Sequence, residues 1–85
     1  MAEKEIGVVT HYFDRIEVGA IRLTDEGLRT GETIHIQGHS TDLRQTVGSM
    51  QINHEVVTEA KRGDEIGIKV DGPVHQHDKV FKITE

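Results

Sequence analysis

Nine isoleucines and nine valines stand against three leucines and three alanines in this 85-residue sequence. Branching at Cβ restricts χ1 and suits the pleated backbone, so this balance points to strands rather than helices. The length allows one small domain, residues 1–85, with a thin core. The sequence has no cysteine, so no disulfide or thiolate metal cage can staple it. Nine glycines and one proline supply turns.

Six strands are expected. Ile6 to Phe13 carries apolar residues on both parities, as in a strand covered on two faces, and only one of Tyr12 and Phe13 can point inward. After an Asp14-Arg15 turn, Ile16 to Thr24 is read as a strand with a parity switch beside Gly19, which suggests a β-bulge. Thr33 to Gly38 alternates cleanly, with Ile34 and Ile36 on one face. Leu43 to Asn53 is read as one long strand bulged at Gly48-Ser49, and His54 to Arg62 as a connection. Glu65 to Val70 places Ile66, Ile68 and Val70 inward. Asp71-Gly72-Pro73 is a turn, Val74 to Asp78 a polar loop, and Lys79 to Thr84 the last strand. Strands so closely spaced suggest an all-β, six- or seven-stranded antiparallel barrel, because closure removes exposed edges.

Fifteen acidic residues outnumber ten Lys and Arg, for a net charge of −5, which disfavours a long nonspecific grip on duplex DNA. No apolar run approaches a membrane span or a signal peptide, so a cytoplasmic protein is expected. No phosphate-binding glycine motif occurs.

Two segments carry a family resemblance. Leu28-Arg29-Thr30-Gly31-Glu32-Thr33-Ile34-His35-Ile36-Gln37-Gly38 reads L-[K/R]-x-G-[D/E]-x-[I/V]-x-[I/V]-x-G, and Ala60-Lys61-Arg62-Gly63-Asp64-Glu65-Ile66-Gly67-Ile68 reads A-x-x-G-[D/E]-x-[I/V]-G-[I/V]. In this order, with Thr46 to Gln51 between them, they resemble domain II of translation GTPases such as elongation factor Tu. The likeness covers roughly residues 6–84. It extends to small stand-alone translation elongation factor-like proteins, and to the barrel appended to the C-terminus of collagenase-like peptidases. Physically, each Gly-acid pair marks a tight turn in which glycine supplies φ > 0, and Gly67 is expected where another backbone approaches closely.

The GTPase domain that precedes this barrel in translation factors has no counterpart here, so no GTP chemistry is expected. The Phe13–Asp25 stretch looks longer than in elongation factor Tu. In that family an acidic residue after the fourth strand helps recognise the terminal adenosine of aminoacyl-tRNA; the matching position is Gln51, which can still hydrogen-bond a base edge. The resemblance implies a non-catalytic binding module for an RNA end or ribonucleoprotein surface. Its alternative is a protein-interaction accessory barrel related to the C-terminal domain of collagenase-like peptidases. Candidate contacts are His35, His39, Arg44, Gln51 and Lys69.

Six histidines are unusual in 85 residues, but they occur in pairs such as His75 and His77 rather than in sets of three or four, so no metal site and no cofactor are expected. Ser40 and Ser49 lie outside any nucleophile motif, and acid pairs such as Asp25-Glu26 fall in turns, so no catalysis is expected.

Overall fold

The computed structural model describes residues 2–84. Among the described residues the chain forms ten strands: β1 (Ala2–Phe13), β2 (Val18–Leu23), β3 (Leu28–Arg29), β4 (Thr33–Gln37), β5 (Asp42–Thr46), β6 (Met50–Ile52), β7 (Glu55–Val57), β8 (Glu59–Ala60), β9 (Glu65–Lys69) and β10 (Lys79–Thr84). Eight make one sheet in the order β5-β4-β10-β1-β2-β9-β6-β7, and β3 pairs with β8 in a separate ribbon. Every pairing is antiparallel, so the all-β expectation holds.

The core is the inward parity of these strands. Ile34 and Ile36 of β4 and Ile66 and Ile68 of β9 are fully buried, as alternation predicts, and they meet Ile21, Leu23, Met50 and Val80. Each such side chain contributes about 1.5–3 kcal/mol through burial. The sheet curls round this core, but among the described residues no ladder joins its terminal strands β5 and β7. The gap beside β5 is spanned by one buried side chain. Gln45 Nε2 donates to the Lys69 carbonyl at 2.8 Å, and its Oε1 accepts from the Asp71 amide at 2.8 Å.

Three local expectations are corrected. The bulge expected beside Gly19 lies instead in the facing strand: β2 alternates regularly, with Gly19, Ile21 and Leu23 inward, and Ile16 belongs to the preceding turn. β1 carries two irregularities, at Ile6 against β10 and at Thr10 against β2. They solve a spacing problem. Ile6, Val9 and Tyr12 all face the core yet stand three apart, an odd step that a regular pleat cannot accommodate. The strand read as Leu43–Asn53 is two strands, because Val47-Gly48-Ser49 carries the chain from the β4 edge to the β9 edge. The connection after it contains β7 and β8.

The Gly-acid pairs are turns of one design. Gly31 and Gly63 have φ of 92° and 93°. In each turn the acid three residues on closes it twice: the Glu32 amide donates to the Arg29 carbonyl at 3.2 Å, and the Arg29 amide donates to Glu32 Oε1 at 2.7 Å. Asp64 and Lys61 repeat this at 3.0 and 2.9 Å. A third copy, not expected from the sequence, is His75-Gln76-His77-Asp78. The Asp78 amide donates to the His75 carbonyl at 3.1 Å, and the His75 amide donates to Asp78 Oδ2 at 2.8 Å. Here His77 takes the glycine position with φ 78°, so the polar loop expected at Val74 to Asp78 contains a tight turn.

Candidate functional site

The outer face of the sheet carries an apolar groove of about 450 Å³ between the β1–β2 hairpin and the β6–β7 hairpin. Its floor follows from cross-strand register. His11, Ala20, Gly67, Gln51 and Val56 face one another in a row across β1, β2, β9, β6 and β7. Ala20 and Gly67 are too small to fill the row, so the surface dips there. Gly67 is therefore a floor residue: a Cβ on it would meet the Val18 side chain at 3.3 Å, not another backbone.

The walls are apolar. Phe13 and Ile16 project from the end of β1 and its turn with 47% and 60% of their surface exposed. Val56, at the end of the floor row and outside the groove lining, is 73% exposed. The exposed large hydrophobic residues of the described chain thus gather on one side. The His11 ring meets Phe13 edge to face, with centroids 4.5 Å apart. The rim is polar. Thr10, the extra residue in β1, donates to Glu65 Oε2 at 2.9 Å. Asn53 and His54 form the two-residue β6–β7 turn with φ of 52° and 68°, the signature of a type I′ hairpin.

A second cluster lies on the outer face of β4 and its neighbours. His35 is buried against Phe81, its partner on β10. Its Nδ1 lies 2.8 Å from Glu3 Oε1 and its Nε2 2.5 Å from Asp42 Oδ1, while Arg44 Nη2 donates to Glu3 Oε2 at 3.1 Å. The Glu3 carboxylate, and after it Asp42, raise the His35 pKa above the ordinary imidazole value; burial opposes them.

At one end of the core Lys82, on the inward parity of β10, bonds Glu26 at 3.0 Å and lies 3.5 Å from Glu32. Lys4 also holds Glu26, at 2.8 Å. Lys4 first, then Lys82, lower the Glu26 pKa to about 2.

The expected contact residues are divided between these places. Gln51 lines the groove. Lys69 is exposed on β9 and pairs with the groove residue Val18. His35 and Arg44 belong to the second cluster, and His39 is exposed in the β4–β5 loop. Sequence reading missed Phe13, Ile16 and Val56 as surface features. The available signal was Phe13 standing directly before the Asp14-Arg15 turn, where an apolar side chain loses its cover. Among the described residues no group of three or more His, Asp or Glu is arranged to hold a metal ion.

Comparison with known proteins sets this geometry in context. No family model matches the chain. It is 38% identical over 82 residues to a Methanocaldococcus jannaschii protein described as an uncharacterized protease. That match takes in 95% of this chain and 20% of the relative, so the chain spans about a fifth of the length of the curated protein it matches. Among solved structures it is similar to the C-terminal domain of a protein assigned as a U32 peptidase from Geobacillus thermoleovorans, with a TM-score of 0.87 at 14% identity over 95% of this chain and 93% of that one. The selenomethionine variant of that domain matches with a TM-score of 0.84 at 14% identity, over 91% and 96%. At this identity the likeness is one of fold. It bears out the similarity to the appended domain of collagenase-like peptidases and does not confirm the one to elongation factor Tu.

Proposed function

We propose that the chain is a non-catalytic accessory domain of the U32 peptidase type, and that it docks through the apolar groove onto the catalytic part of such a peptidase. The observation that carries this is the match of the whole fold to a C-terminal domain, 95% against 93% of the two chains. The curated relative supports it, since the matched segment is a fifth of a longer protein described as a protease. The groove supplies the means. Phe13 and Ile16 are partly exposed, so further burial of either contributes to association, and Gln51 on the floor and Glu65 on the rim offer hydrogen-bonding groups.

Calorimetric titration of the chain into a U32 peptidase lacking its own C-terminal domain tests this reading. The expected result is a dissociation constant of roughly 10 µM or tighter. No heat at roughly 100 µM would overturn it, as would chemical-shift changes at Gln51 and Lys69 with a tRNA fragment but none with the peptidase. The latter outcome would favour the RNA-binding reading. The isolated chain is expected to leave casein uncut.

A further inference from the structure

The His35 cluster is not used by the docking reading, and its geometry sets a condition that only one protonation state meets. Both ring nitrogens face carboxylate oxygens, Nδ1 toward Glu3 at 2.8 Å and Nε2 toward Asp42 at 2.5 Å. An imidazolium donates from both nitrogens. A neutral ring donates from one and presents a lone pair on the other, so one carboxylate must then leave.

The two carboxylates are not equally free to go. Glu3 is also held by Arg44 at 3.1 Å and is only 31% exposed, whereas the Asp42 side chain is 78% exposed and has open water beside it. Asp42 is the first residue of β5, directly after the loop that joins it to β4. That loop is otherwise tied by the Gly38 amide donating to the Thr41 carbonyl at 2.8 Å, and by Thr41 Oγ1 against His75 Nδ1 at 2.8 Å. The charged groups facing His35 are Glu3 from β1 and Asp42 and Arg44 from β5; β10 contributes the Phe81 ring, with Glu5 and Lys79 paired beside it at 3.6 Å.

We infer that His35 is a proton-operated latch on the β4–β5 loop. While the ring carries two protons it clamps Asp42. When it loses one it keeps Nδ1–H on Glu3, releases Asp42 from Nε2, and leaves residues 38–42 held by the Gly38–Thr41 and Thr41–His75 contacts and the Gln37–Asp42 pairing alone. The sign follows from the carboxylates. They stabilise the imidazolium, so the clamp is fully present below the ordinary imidazole pKa of about 6.5 and is lost as pH rises through the higher folded value.

NMR of the full chain tests the latch, with ¹⁵N ring shifts for the tautomer and backbone order parameters for the loop. Expected are a His35 midpoint above the ordinary imidazole value of about 6.5, a neutral form with the proton on Nδ1, and order parameters at residues 38–42 falling across that midpoint. Asp42→Asn, at an exposed position, provides both a donor and an acceptor, so its loop should stay ordered at every pH. His75→Gln should leave the transition in place. A His35 midpoint at or below about 6.5, a loop indifferent to pH, or a proton on Nε2 in the neutral form would each overturn the proposal.

Discussion

His77 occupies a position that its two sister turns give to glycine. Left-handed backbone costs an L-residue about 1–2 kcal/mol. His77→Gly is therefore expected to raise stability by about 1 kcal/mol, the relief exceeding glycine's greater freedom in the unfolded chain, and urea denaturation would read it as a higher midpoint. Gly31→Ala and Gly63→Ala should move the midpoint the other way by about 1–2 kcal/mol. A Cβ at either would touch nothing within 4 Å, so those losses would measure backbone strain free of any clash. Glu26 gives a second prediction at this scale. Its depressed pKa means that it stabilises the fold above the ordinary carboxylate range and that this contribution is lost as pH falls through about 2. Carboxyl NMR should show that titration, and Lys4→Gln or Lys82→Met should each bring it back toward the usual value.

Among the elements β1 is the one whose form is least local in origin. It bonds β10 on one side and β2 on the other, and its irregularities reconcile core contacts at odd spacing with both partners. Gly7 sits beside the first. A Cβ there would lie 2.4 Å from the Arg22 carbonyl oxygen, a backbone atom that cannot swing aside. Gly7→Ala is expected to cost about 3 kcal/mol, against about 1 for Gly67→Ala, which meets only the Val18 side chain at 3.3 Å. The contrast would be measured as the separation of their urea midpoints. It also marks what the sequence could tell. Alternation placed Ile34, Ile36, Ile66 and Ile68 correctly, because their strands are regular and half-buried. The turns at Gly31 and Gly63 were legible because Gly-acid pairs are local signals. The bulges in β1 and the break at Val47-Gly48-Ser49 were not, since each depends on which strand lies alongside. The turn at His75 was hidden because histidine stands where glycine marks the other two.

For the molecule as a whole the proposed docking surface can be tested apart from the core. Phe13→Asp with Ile16→Asp changes side chains 47% and 60% exposed and removes the Phe13–His11 contact, so stability should fall by no more than about 1 kcal/mol, as read by the urea midpoint. Association with the truncated peptidase should weaken at least about tenfold, as read by calorimetry. Gln51 was singled out through the resemblance to elongation factor Tu and not through the groove, and the exposure of Phe13, Ile16 and Val56 was not legible because composition cannot distinguish an apolar side chain that finds cover from one that does not.

The Gln45 side chain beside β5 has a further consequence. It reproduces with one amide what a ladder does with many: a donor to Lys69 and an acceptor for Asp71, both at 2.8 Å. A zipper of backbone bonds frays tooth by tooth, so its opening is graded. A single clasp is either fastened or undone. The edge of β5 should thus behave as a door rather than a fringe, and water that reaches the buried faces of Ile36 and Val47 without global unfolding should enter where Gln45 lets go.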